Sequence, residues 1–189
     1  MTTATTPAVF DGHNDVLFQL YRAGGVAAAP QFATGREGAI DVPRAAEDGF
    51  GGGMFAMFVP SPMDGAARKA AMSQPSYDLP APDPIDWEDA LPVAMAQAAI
   101  LFELERQGTL TIAHTAADIR TALAAGRMVA VLHMEGAEAI DPVFHVLDVL
   151  YAAGLRSLGP VWSRSTIFGE GVPFRYPSSP DTGPGLTDH

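Results

Sequence analysis

Apolar residues along this chain fall into short continuous runs, separated by stretches whose apolar positions recur with helical spacing. Ala8-Val9-Phe10 reads as the end of a buried strand running into a polar mouth, Asp11 to Asp15. Residues 16–23 (VLFQLYRA) have helical spacing and stop at Gly24-Gly25. Residues 26–40 are Gly/Ala-rich and read as a loop, followed by a short helix from Asp41 to Asp48 with Pro43 in its first turn. Residues 49–60 (GFGGGMFAMFVP) are apolar on both faces, as strands of parallel sheets are. Their glycines allow close backbone approach or a loose entry turn.

Residues 61–86 carry many prolines and little periodicity and are expected to form a surface excursion. The clearest helix runs from Asp86 to Gln107, with Ile100, Leu101 and Leu104 in its apolar stripe and Gly108 as its stop. A short strand is expected at 109–113, then a helix capped by Thr115 and closed by Gly126, then a core strand at 128–134. Asp141-Pro142 has the cap-then-proline order of a helix start, and that helix is expected to reach Ala153-Gly154. A strand at 155–161 follows, then a Gly/Pro/Ser-rich excursion at 162–185 and the start of a helix at 186–189. Strands alternating with helices predict an α/β fold with a parallel sheet.

The polar residues of interest fall just after the strands, where parallel α/β folds place their chemistry. In a strand, His13 and Asp15 share a face with Asn14 opposite, so an imidazole and a carboxylate can hold one divalent cation. The same residues also fit a plain turn, with a polar His and Asp in solvent. A second strand, Val129 to Leu132, delivers His133 and Glu135 in the same manner. His133 reads either as a support for a metal site or as a side chain filling the interior one layer down. His114 and His145 read as surface residues, and Met54, Phe55, Met57 and Phe58 as core. Ser163, Ser165 and Thr166 lack the surroundings of a nucleophile elbow, and Gly169-Glu170-Gly171 is too short for a phosphate loop.

Composition narrows these readings. With 189 residues the chain can bury one core, and 22 acidic residues against 11 basic ones give a net charge of −11. That disfavours nucleic-acid and anionic-membrane partners. The absence of cysteine excludes thiolate ligands and nucleophiles, so any metal must be held by His, Asp and Glu. Residues 1–7 show no signal-peptide pattern, and no apolar run reaches a membrane span. A soluble, cytoplasmic protein is the expectation.

Four segments together resemble the membrane (renal-type) dipeptidase family of dinuclear zinc peptidases: DGHND at 11–15, GFGGGMFAMFVP at 49–60, IRTALAAGRMVAVLHMEGAEAI at 119–140 and LYAAGLRSLGPVWSRS at 150–165. The family fold is a (β/α)8 TIM-type barrel of roughly twice this length. The resemblance therefore implies an incomplete barrel, roughly its first half, as a single domain over 1–189 with excursions near 61–86 and 162–185.

It further implies that His13 and Asp15 bind zinc and that Glu135 bridges two ions as a catalytic carboxylate. The chemistry implied is hydrolysis of small dipeptides by metal-activated hydroxide. Two zincs need about eight ligand positions. A bridging hydroxide and Glu135 fill two each, and His13 and Asp15 one each; in the family two later histidines supply the rest. Those lie on strands beyond this span, and His189 is not a convincing substitute.

Where the family has a substrate-contacting histidine this chain has Trp162, which offers stacking and an indole N–H. Activity is thus expected to depend on the other half of the barrel. The rival expectations are a non-catalytic remnant, or another metal-dependent amidohydrolase, against which H-x-D in place of H-x-H argues. A half-barrel also leaves two open strand edges, expected at 8–12 and 155–161, which predicts self-association or pairing with a complementary half.

Overall fold

The computed structural model describes residues 7–61, 65–178 and 183–189. Of the 1–7 stretch expected to hold no signal peptide all but Pro7 lies outside the described residues, as do the parts of the two excursions at 62–64 and 179–182. A five-stranded parallel sheet organises the chain, built from β1 (Val9–Asn14), β2 (Phe50–Phe58), β4 (Thr111–Ile112), β5 (Val129–Glu135) and β6 (Leu155–Gly159). The order is β1-β2-β5, with β2 paired along the whole of β5. The other edge of β5 takes β4 at its N-terminal end, Thr111 beside Val129, and β6 at its C-terminal half, Glu135 beside Gly159.

The glycine run in β2 is a close-approach device. A Cβ at Gly52, where φ is +148°, would lie 2.0 Å from the Val129 carbonyl oxygen, and one at Gly53 would lie 2.8 Å from the Asp11 backbone. Side-chain-free positions let β1 and β5 both press against β2.

Helices cover one face of the sheet. The longest, α5 (Trp87–Arg106), buries Ala90, Ala94, Ile100, Leu101 and Leu104 against α1 (Val16–Arg22) and against Phe55, Met57, Leu132 and Met134 of the strands. The region expected as a loop at 26–40 instead contains a short 3-10 turn at Gly25–Ala28 and α2 (Ala29–Thr34). Pro30 opens α2 in its first turn, where its missing N–H costs nothing. Buried Phe32 anchors that helix, its ring edge-on to Phe55 at 6.1 Å.

The expected helix α3 (Val42–Asp48) forms with Asp41 as its cap, accepting from the Arg44 amide at 3.0 Å. Hydrogen bonds from the Arg44 guanidinium, and then from the Arg44 backbone amide, hold the Asp41 carboxyl far below the usual carboxylate range. The α6 helix (Ala116–Ala124) starts with a reciprocal capping box between Thr115 and Asp118. It lies against the opposite face of the sheet, where Ile119, Ala122 and Leu123 pack on Met54, Val129 and Val131.

Three other expectations need correction. Helix α7 (His145–Ala152) starts at His145, not at Asp141-Pro142. Asp141 still caps it, accepting from the His145 and Val146 amides at 3.1 and 2.6 Å, but Phe144 at φ +64° breaks the helical path between them. Residues 186–189 form no helix; Leu186 makes an isolated bridge to Gly169. Ala8, Val9 and Phe10 are exposed, because β1 is an edge strand and not a buried one; Val9 is 57% and Phe10 38% exposed.

The two excursions are also more ordered than their composition predicts. The first contains α4 (Gly65–Met72) and β3 (Tyr77–Leu79), the second β7 (Phe174–Tyr176). The strands β3 and β7 pair antiparallel, with Tyr77 stacked on Tyr176 and Arg175 bridged to Asp78 at 2.9 Å.

Candidate metal centre

The candidate residues gather at the C-terminal end of the sheet. His13 lies where the β1–β2 register shifts between Asp11 and Asn14. A register shift of this kind re-aims a side chain at a sheet edge. The Asp11 carboxylate accepts from the His13 amide (3.3 Å) and from Asn14 Nδ2 (3.2 Å), and Asn14 Oδ1 accepts from the Val16 amide (3.3 Å). These local bonds shape the turn and send buried Asn14 away from His13. Asp15 occupies the cap position of α1 but makes no side-chain cap bond, so its carboxylate remains available to the site. Glu135 is the last residue of β5, level with Phe58 of β2 and Gly159 of β6.

The three side chains predicted as ligands converge. Ligand atoms of His13, Asp15 and Glu135 all lie within 4.8 Å of one another. His13 Nε2 is 3.3 Å from Glu135 Oε2 and 3.6 Å from Asp15 Oδ1. Glu135 is half-buried, and that burial raises its carboxyl above the usual range, with His13 opposing the rise and Asp15 adding to it. Two carboxylates crowded beside one imidazole, one of them drawn out of water, suit a divalent cation that accepts nitrogen and oxygen donors. Among the described residues no fourth His, Asp or Glu joins the cluster.

The surroundings hold this group in place. His133, one alternation back along β5, has its ring edge-on to that of His13 at 5.6 Å, and its Nδ1 shares a 2.8 Å hydrogen bond with Ser157 Oγ. Burial, and then the proximity of His13, lower the His133 pKa. The Ser157 bond fixes the His133 ring where its edge meets that of His13.

Gln97, fully buried on α5, donates to the Phe58 carbonyl at 2.7 Å and accepts from the Phe58 amide at 3.0 Å, pinning the strand end beside Glu135. Sequence reasoning passed over Gln97. Its signal was an amide inside the apolar stripe Ala90-Ala94-Ala98-Leu101. Glu138 and Arg164, a buried ion pair at 2.8 Å, were missed as well.

Trp162 stands three residues beyond β6 at the same end of the sheet and is 39% exposed. Its ring meets Phe58 and Phe174 edge-on, each at 5.4 Å, and Phe58 in turn meets Phe18. Arg68 of α4 lies over Phe174 and Trp162, 3.4 and 5.7 Å from the ring centres. The result is an aromatic row that runs from Phe58, level with Glu135, through Trp162 to Phe174 of the β3–β7 ribbon.

Of the remaining candidates, His114 and His145 are exposed as expected. His189 Nε2 donates to the Pro142 carbonyl at 3.1 Å, and its ring stacks on Phe144. Ser165 donates to Glu170 and accepts from the Gly171 amide, which is a loop-closing role.

Comparison with known proteins gives this geometry a lineage. The chain superposes on a metallo-peptidase from Rhodobacter sphaeroides, crystallised with a phosphinate mimic of the dipeptide L-Ala-D-Ala, with a TM-score of 0.92 and 48% identity. That match covers 97% of this chain and 54% of the other. A second crystal structure, of the dipeptidase AC of family M19, matches with a TM-score of 0.90 and 47% identity over 97% of this chain and 53% of its own. An uncharacterised protein from the PQQ-III 3' region of Acinetobacter calcoaceticus is 38% identical over 181 residues, 95% of this chain and 56% of that protein.

The chain thus spans about half the length of these relatives, and its parallel sheet is the corresponding part of a (β/α) barrel. No helix among the described residues is long and apolar enough to cross a membrane. The family model for membrane dipeptidases, peptidase family M19, matches residues 3–189, so the chain that carries this His-Asp-Glu cluster belongs to that family.

Proposed function

We propose that this chain carries the first half of a zinc-dependent dipeptidase site that hydrolyses the peptide bond of small dipeptides. The observation that carries the reading is the convergence of His13, Asp15 and Glu135 at the C-terminal end of a parallel sheet. In this reading His13 and Asp15 would hold zinc with one ligand atom each, and Glu135 would add its carboxylate to the same centre. Bound zinc lowers the pKa of a water to about 7 and polarises the carbonyl under attack.

The rest of the work falls to the chain. His133 and Ser157 orient His13, Gln97 and Phe58 fix the level of Glu135, and Trp162 offers an aromatic face and an N–H to the dipeptide. The R. sphaeroides structure holds a mimic of L-Ala-D-Ala, which makes that dipeptide the first substrate to assay. Turnover is assigned to the complete barrel, because three protein ligands leave coordination positions of two zincs unfilled.

Calorimetric zinc titration of the purified chain, paired with chromatographic assay of L-Ala-D-Ala cleavage, tests the proposal. Weak zinc binding that Glu135→Gln reduces at least about tenfold, a loss of 1.4 kcal/mol, is expected, with little or no cleavage. Zinc binding indifferent to Glu135→Gln would overturn the ligand assignment. Two tightly held zincs with dipeptide turnover would overturn the dependence on the other half. A second reading, a metal-binding relative without catalysis, is favoured by the absence of a fourth ligand among the described residues. Cleavage assays on a protein carrying both halves separate the two.

A further inference from the structure

The loop after β5 holds an ion pair that the metal chemistry does not use. The Glu138 and Arg164 side chains are 4% and 3% exposed and meet at 2.8 Å. Burying two charges is costly, and the pair's attraction does not by itself make it stabilising. What distinguishes this pair is what else Arg164 touches. Its Nη1 also donates to the Val59 carbonyl at 3.2 Å, and its Nη2 donates to Ser61 Oγ at 2.7 Å. Val59 and Ser61 follow β2, Glu138 follows β5 and Arg164 follows β6, so one guanidinium ties together the three strand ends that surround Glu135.

The coupling to Glu135 is short and rigid. Gly136, its neighbour, has φ +85°, and a Cβ there would lie 2.3 Å from the Glu138 carboxylate. The carboxylate of Glu138 therefore packs directly on the backbone that carries Glu135. The Gly136 amide donates to the Gly159 carbonyl at 3.0 Å and the Ala137 amide to the Pro160 carbonyl at 3.1 Å, locking this turn to the β6 loop. Only a planar fork of donors can serve the Val59 carbonyl, Ser61 and Glu138 at once; an ammonium on a flexible stem cannot hold the same geometry.

We propose that Glu138 and Arg164 are positioning residues for Glu135: their buried ion pair clamps the loops after β2, β5 and β6 and thereby sets where the Glu135 carboxylate meets a cation. This rests on the reading of Glu135 as a metal ligand. Partners that orient a ligand without touching the metal typically govern its affinity by 10–100-fold.

The test measures two things on the wild-type chain and on Arg164→Lys, Arg164→Met and Glu138→Gln. One is zinc affinity by calorimetry; the other is residue-resolved amide hydrogen exchange of the metal-free protein. Arg164→Lys keeps the charge and serves if Arg164→Met fails to fold.

The expected result is zinc binding weakened about 10-fold or more in Arg164→Lys. With it, exchange at the Gly136 and Ala137 amides should rise by a similar factor while Ala130 and Leu132 keep their protection. Unchanged exchange at Gly136 and Ala137 overturns the proposal. So does a loss of protection shared equally by Leu132, which would make the pair a general structural support. If the wild-type chain binds no zinc, the ligand reading of Glu135 fails on its own account. The exchange pattern then decides alone whether the pair positions that residue.

Discussion

On β5, Ala130, Leu132 and Met134 point to one face of the sheet, and Val129, Val131, His133 and Glu135 to the other. The first set is fully buried under α1 and α5, in a continuous cluster of Leu, Phe, Met, Ile and Ala. The second set is covered only in part: α6 closes over Val129 and Val131, while His133 and Glu135 remain half-buried. Within a single strand, then, one face is completed by this chain's own helices, and the other is completed only at its lower end. The difference separates stability from chemistry. The helix-covered face has the apolar contact that holds the sheet together, and the other keeps charges that a packed core would exclude.

The largest effect should come from damage to the helix-covered face. Phe55→Ala removes a ring that is fully buried against Phe32, and is expected to cost about 3–5 kcal/mol in urea unfolding. A loss below about 1 kcal/mol would mean that this face is not where the stability lies.

A smaller effect is expected at the open edge. Val9, Phe10 and Leu158 expose apolar surface on β1 and β6, and among the described residues no further strand pairs with either outer edge. We expect the chain to self-associate, or to pair with a complementary half-barrel, through these edges. The net charge of −11 opposes contact, yet it is screened over about 8 Å at physiological salt. Burying one such side chain contributes about 1.5–3 kcal/mol. Phe10→Lys should therefore raise the dissociation constant about tenfold or more, read by size-exclusion chromatography with light scattering. A sharp, cooperatively melting wild-type monomer would show that the exposed face needs no partner.

The smallest effect sharpens the contrast between charges on the two sides. Asp41 is a buried charge whose role is local, capping α3 and bonding Arg44. Its folded pKa lies below the unfolded value, so the stability it contributes is present above about pH 4 and is lost as the pH falls below that. Asp41→Asn should melt below wild type at neutral pH, and the two should converge as the medium is acidified. Melting temperatures taken across pH 2–7 give the comparison; a gap that persists in acid would mean that the carboxylate's charge is not what matters.

Much of this was legible residue by residue. The run at 49–60, the helix from Asp86 and the capped helix after Thr115 follow from local period and cap chemistry, which the chain carries within a few residues of each element. That His13, Asp15 and Glu135 would come together was legible for the same reason: each stands at the end of an apolar run, and strand ends of parallel sheets share one side of the fold. The errors have a common cause as well. Val9 and Phe10 read as buried because their apolar character is local, whereas exposure depends on whether another strand lies alongside. The β3–β7 ribbon pairs residues nearly a hundred positions apart across two proline-rich stretches, and no local pattern encodes such a partner.

The sequence by itself determined the alternation of strands and helices, the residue types at the candidate site and the lack of thiol groups in this chain, because those depend on side-chain identity and short spacing. Only the tertiary structure decided that the β1 register shifts at His13, that Gln97 pins Phe58, and that Arg164 reaches Val59, Ser61 and Glu138 together. Each of those is a contact between elements far apart in the chain. Its energy depends on distance and burial, which come into existence only when the sheet assembles.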